Sequence, residues 1–187
     1  MVRHCAGAVV TPGCIRHENR SFRPEGRRIR ARNADFLFTS VIDLDRSREE
    51  IAEIKAQAVA GGRNVDVLTF SHIVCRPTEQ EAKDYLQYFA QDNADWVAVD
   101  NLIRLQFAHA QSFPHDLLAL IRDRFAMGHG GVPMIGTPEQ VADKLCELHA
   151  LGLGGTTLSF VDYTKEFPYF RDNVLPILEA RGIRRPG

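Results

Sequence analysis

The chain has 187 residues, 44% hydrophobic and 25% charged, with a formal net charge of −1. That is ordinary globular composition and enough chain for one full core, and near neutrality excludes steering of the whole molecule to nucleic acid or to an anionic membrane. No segment approaches the roughly 18 uninterrupted apolar residues of a membrane span, and the opening MVRHCAGAVV is too short and broken for a secretory signal, so a cytoplasmic location is expected.

Residues 1–23 stand apart as an irregular, arginine-rich arm. From Arg3 to Arg32 eight arginines face only Glu18 and Glu25, and no apolar periodicity runs through Thr11 to Arg23. The arm lacks the aromatic interleaving of a single-strand nucleic-acid binder, and no nucleic-acid partner is expected. A short helix opening at Pro24 fits residues 24–33. Ala34 to Thr39, ADFLFT, is the first strand expected.

Ser47 to Glu50 reads as a capping box opening a helix with Ile51, Ile54 and Ala58 on one face. Val65 to Val74 is the longest expected strand. It shows Val67, Thr69, Ser71 and Ile73 on one side and Leu68, Phe70, His72 and Val74 on the other, so both faces are substantially apolar, as in a parallel strand covered by helices. Thr78 to Glu81 opens the next helix, which carries Ala82, Leu86 and Phe89.

The rhythm breaks from about 92 to 136. Helical periodicity is present (Val97, Leu102, Leu105; Leu117, Leu120, Ile121) but no strand is expected, and the stretch runs into GHGGVP. An insertion of this length sits over a site, as a lid, or at a subunit contact. Beyond it, Thr137 is placed as an N-cap with Gln140 at the capping-box position and Pro138 at the first helical position. Val141, Leu145 and Leu148 share a face, and Gly152 supplies the left-handed stop. Thr156 to Phe160 is the last strand. Phe167, Phe170, Val174 and Leu178 form a final apolar face, with Pro176 expected to kink that helix.

Strands alternating with helices imply right-handed crossovers in a parallel sheet. The expected fold class is α/β, a partial (β/α)8 TIM barrel with a helical insertion before the last strand, because a complete barrel takes about 250 residues. In such barrels ligands meet the carboxyl ends of the strands. Those ends offer Thr39 and Ser40, Arg76, and Asp162 with Tyr163. Asp162 also reads as a cap and Tyr163 as a packing residue. His72, within a strand, reads as a satisfied core or wall histidine, and His109, His115 and His149 show no ligand spacing. His129, in a glycine-flanked loop, and Tyr163 are the catalytic candidates; no residue is assigned outright. Cys5, Cys14, Cys75 and Cys146 form no CxxC pair, so neither a metal nor a disulfide is expected. The PEGRR segment suits a phosphate, since a glycine in the first turn of a helix opens backbone N–H groups at the positive end of the dipole.

The runs GRRIRARNADFLFTS, AGGRNVDVLTFSHIVCRPTEQEA, GHGGVPMIGTPEQVADKL, GLGGTTLSFVDY and FPYFRDNVLPILEARGIR resemble, in order and spacing, the C-terminal half of luciferase-like, FMN-dependent monooxygenases related to alkanesulfonate, dimethyl-sulfone and pyrimidine monooxygenases. The resemblance covers Gly26 to Arg184 and makes residues 24–187 the C-terminal portion of such a barrel. It implies reduced FMN as cofactor, supplied by a flavin reductase, with a deazaflavin as the less favoured alternative, and a small organic substrate that is possibly organosulfur. It places the flavin phosphate on Glu25, Gly26 and Arg27. Here Arg23 stands where the family has a serine, and the family's preceding AG is absent. Residues 1–23 do not match the family's first half, which supplies the early strands and most ring contacts. An incomplete chain with open sheet edges is therefore expected to form a homo-oligomer. The rival expectation is a non-catalytic barrel remnant, an interaction subunit that does not bind flavin.

Overall fold

One long strand organises the molecule. The computed structural model describes residues 35–107 and 114–185. Within them β2 (Asp66–Cys75) pairs, always in parallel, with β1 (Phe36–Phe38), β3 (Val132–Gly136) and β4 (Gly155–Ser159). Successive peptide groups of a strand point to opposite edges, which fixes the order. Asp66, Leu68 and Arg76 bond to Asp35, Thr39 and Gly136, whereas the Val67 carbonyl takes the N–H of Gly154. Even-numbered groups of β2 thus serve β1 and β3 on one edge, and odd-numbered groups serve β4 on the other.

Seven helices accompany the strands among the described residues: α1 (Leu44–Ala60), α2 (Glu79–Gln87), α3 (Trp96–Gln106), α4 (His115–Gly128), α5 (Pro138–Ala150), α6 (Tyr163–Asn173) and α7 (Leu175–Ala180). A π-helical turn, Tyr88–Asp92, continues α2. The face of β2 that carries Val67, Ile73 and Cys75 packs on Ile51, Ile54 and Ala58 of α1, Val141 and Leu148 of α5, and Phe170 of α6. Phe170, Ile51 and Ile73 are at most 1% exposed, and each such side chain contributes about 1.5–3 kcal/mol by leaving water. The sheet does not close. On its other face, paired across the strands, lie Phe36, Phe38, Leu68, Phe70, His72 and Ser159. Phe36 and Phe38 there are 60% and 44% exposed. This is the expected partial βα barrel, one face clad in helices and the inward face partly bare, with the helical insertion ahead of the last strand.

Several local expectations hold. Thr137 with Gln140 and Thr78 with Glu81 form reciprocal capping boxes, and Gly152 takes φ +93 at the stop after α5. Four corrections follow. Strand β3 lies where residues to Pro133 were expected to hold none. Its Gly136 carbonyl turns to β2, so by alternation the nitrogen of Pro133 faces the free edge and its missing N–H costs no ladder bond. Helix α1 starts earlier than Ser47: Asp43 is the cap, accepting from the Arg46 N–H at 2.8 Å, and Ser47 is buried within the helix. In the insertion, α3 and α4 meet through Val99, Ile103 and Ile121, while Val97 and Leu105 are 81% and 62% exposed. The expected stripe was one turn-face off, because Val97, Leu102 and Leu105 mark an apolar side that α4 does not cover. Last, the C-terminal helix does more than kink: it divides at buried Val174 into α6 and α7, because Pro176, in the first turn of α7, has no N–H for the Asp172 carbonyl; Pro168 lies inside α6.

Candidate functional site at the carboxyl ends of the strands

His72 is 4% exposed. Its Nδ1 lies 3.0 Å from the hydroxyl of Ser159, and that hydroxyl lies 3.2 Å from the Ser71 carbonyl. A serine has one hydrogen to give and the carbonyl can only accept. The hydroxyl therefore donates to Ser71 and accepts from the N–H at Nδ1, which leaves Nε2 as the lone-pair nitrogen. Nε2 is buried and has no hydrogen-bond partner among the described residues. Burial holds the imidazole below the ordinary histidine range, while the charge of Glu166 works in the opposite direction. Phe89, on the π-helical turn, stands 5.6 Å from the ring between centroids. The last residue of α4 is Gly128 for a steric reason: a Cβ there would lie 2.5 Å from His72 Nδ1.

At the end of β2 the guanidinium of Arg76 meets Glu166 of α6 at 2.5 Å. Glu166 is 7% exposed, and its second oxygen takes the N–H groups of Val161 and Asp162 at 3.0 and 3.2 Å. Arg76 also donates to the Cys75 carbonyl and lies 4.0 Å above the ring of Tyr85. Burial and the nearby carboxylate push the Tyr85 hydroxyl up. One buried ion pair thus ties β2, α2, the turn after β4 and α6 together. Cys75, behind it, has its thiol pushed up to about 12 by burial, so it is not a nucleophile.

The structure separates the expected site residues. His129 lies at the C-cap of α4 with φ 56, its Nε2 3.4 Å from the Gln106 side-chain nitrogen. It lines a small solvent-open cleft with Ser40, Phe70, Gln106, Phe107 and Arg124. Tyr163 begins α6, 55% exposed, its hydroxyl donating to the Leu158 carbonyl at 3.2 Å and its ring set edge-on against Phe160. Asp162 caps α6 through Thr164 and Lys165, and the Thr164 hydroxyl, followed by the Lys165 contacts, holds its carboxyl below the usual range. The Thr39 carbonyl accepts from Thr69 Oγ1 at 2.8 Å. Glu25, Gly26, Arg27 and His109 lie outside the described residues. Glu166 was not anticipated; its only local signal is a carboxylate in the first turn of a helix that already has an aspartate cap. Among the described residues no group of three or more His, Cys, Asp or Glu could hold a metal, and no helix is long and apolar enough to cross a membrane.

A parallel sheet with helices on one face and polar groups gathered at the carboxyl ends of its strands is the arrangement of a βα-barrel enzyme. The model of the family described as luciferase-like monooxygenase matches residues 20–154, and the chain belongs to that family. An FMNH(2)-dependent dimethylsulfone monooxygenase of Pseudomonas fluorescens (strain Pf0-1) is 28% identical over 163 residues, covering 83% of this chain and 44% of the relative. A sulfoquinovose monooxygenase of Novosphingobium aromaticivorans is 29% identical over 149 residues, covering 71% of this chain and 41% of the relative. Among solved structures, DmoA from Hyphomicrobium sulfonivorans superposes with a TM-score of 0.72 at 21% identity, covering 87% of this chain and 41% of that one. A riboflavin lyase, RcaE, solved with modified FMN and riboflavin, gives 0.71 at 24% identity, covering 88% and 43%. The chain thus spans less than half the length of these relatives.

Proposed function

We propose that this chain is the C-terminal portion, residues 24–187, of a flavin-dependent monooxygenase that uses reduced FMN and O2 on a small organic substrate, organosulfur compounds being the class its named relatives suggest. The observation that carries this reading is the family match over residues 20–154. The relatives named as FMNH(2)-dependent support FMN over a deazaflavin, and a cofactor consumed in reduced form calls for a flavin reductase as partner. Glu25, Gly26 and Arg27 are proposed to hold its phosphate. A second copy of the chain is the proposed partner at the open sheet edges.

The described residues fit such a group on the inward face. Phe70, two residues before His72 on the same face, and the exposed Phe36 and Phe38 offer an apolar wall for a flat ring, while His72 Nε2 lies beneath α4 and the π-helical turn with no partner among the described residues. When bound, reduced FMN supplies the electrons that activate dioxygen. The chain's own residues bind and orient. Ser159 fixes the tautomer of His72, and the Arg76–Glu166 pair holds the turn after β4 in place. Helix α4 and the π-helical turn cover His72 and exclude water from it. The exposed Phe36 and Phe38 favour one rival: a barrel remnant that acts as an interaction subunit and holds no flavin. Titration with FMN and reduced FMN, followed by flavin fluorescence, separates the two. Saturable binding is expected, and its absence favours the remnant.

A further inference from the structure

We propose that the cleft between the carboxyl end of β1 and helix α4 binds a compact anionic head group, a phosphate, sulfonate or carboxylate, with Arg124 as its cation. The proposal deepens the flavin-dependent reading and rests on it only for what the anion belongs to. Arg124 extends from α4 towards the loop after β1. It donates to the carbonyls of Val41 at 2.7 Å and Ile42 at 3.4 Å. A guanidinium has five N–H groups, so three remain, and Nε is buried with no partner among the described residues. No described carboxylate neutralises it: burial alone acts on its pKa, lowering it. Two residues earlier, Arg122 has such a partner in Asp100, at 2.6 Å. A cation partly withdrawn from water and left without a counter-charge is costly, and an anion entering the cleft supplies what the fold omits.

The walls suit a particular shape of ligand. Ser40, Gln106 and His129 bring polar groups to the same cleft as Arg124, and Phe70, Phe107 and Phe125 line the rest. Ser40 Oγ makes no hydrogen bond among the described residues. The fork of a guanidinium matches the paired oxygens of a phosphate, sulfonate or carboxylate, and the aromatic walls accept an apolar remainder. Phe70 shares the inward face of β2 with His72, so a ligand anchored at Arg124 extends over the face on which the buried histidine acceptor lies.

The test uses the full chain. Inorganic phosphate, methanesulfonate and acetate are titrated at constant ionic strength against chloride, while 1H–15N NMR follows the arginine Nε–H resonances, that of Arg124 being identified by its loss in Arg124→Gln, and the backbone amides of Ser40, His129 and Gly130 in the same cleft, which report binding in the variants. A saturable shift of that resonance is expected with at least one of the three, with binding at least tenfold weaker in Arg124→Gln and unchanged in Arg122→Gln. Because Arg124→Gln also cuts the tie to Val41 and Ile42, the wild-type resonance is the primary readout. Displacement by FMN but not riboflavin assigns the site to the cofactor phosphate, and no displacement by FMN assigns it to the substrate's head group; either supports the proposal. No saturable shift with any of the anions, or equal binding in Arg124→Gln, overturns it even if FMN binds elsewhere, whereas anion binding without FMN binding leaves it standing and removes only the flavin reading.

Discussion

Ser159 decides which nitrogen of His72 carries the proton, although the two residues are 87 positions apart in the chain. The hydroxyl accepts from Nδ1 because its own hydrogen is committed to the Ser71 carbonyl, so the lone pair of the imidazole falls on the buried Nε2. Ser159→Ala removes the acceptor and leaves a buried N–H unsatisfied. Chemical denaturation is expected to show a loss of about 1–3 kcal/mol, and flavin binding should weaken in parallel if the tautomer matters to the site.

Stability should also depend on pH through His72. Its folded pKa is depressed by burial, below the unfolded value of about 6.5. In the window between the two the unfolded chain binds more protons, so stability rises with pH there. It is fully present above about 6.5 and is lost as pH falls towards the folded value. Urea midpoints measured from pH 7.5 down to pH 5 should fall in the wild type and fall less steeply in His72→Gln.

Breaking the Arg76–Glu166 pair should be among the costlier single changes outside the apolar core. Glu166→Ala strands a partly buried guanidinium and frees the N–H groups of Val161 and Asp162. Removing one partner of a buried pair costs about 3–5 kcal/mol. A double-mutant cycle with Arg76→Met should recover a substantial part of that loss, as read from denaturant unfolding.

These two contacts also mark what could and could not be read from the residues alone. Caps such as Thr137 with Gln140 act over three positions, and the two apolar faces of β2 show in the alternation of ten residues, so both were legible. The partners of Arg76 and His72 lie about 90 positions away and depend on which strand lies beside which, information no local pattern carries. Strand β3 escaped notice because Gly131, Pro133 and Gly136 look like a loop until the free edge excuses the proline. The cap at Asp43 was hidden by a Ser-x-x-Glu pattern one turn downstream that ends up inside the helix.

Gly128→Ala offers a steric test. Alanine in a helix is ordinarily favoured over glycine by about 1 kcal/mol, yet here the added methyl meets the His72 ring and Cβ at 2.5 and 2.9 Å. The substitution is expected to lower the melting temperature, and His72→Ala in the same chain should relieve the penalty. Equal effects in both backgrounds would place the clash elsewhere.

The most direct measurement is an anaerobic titration of reduced FMN against the wild-type chain and His72→Ala. If the inward face of this sheet is a wall of a flavin site, the wild type should saturate and the variant should bind at least tenfold more weakly. Failure of the wild type to saturate, or identical binding by the two proteins, would contradict the account.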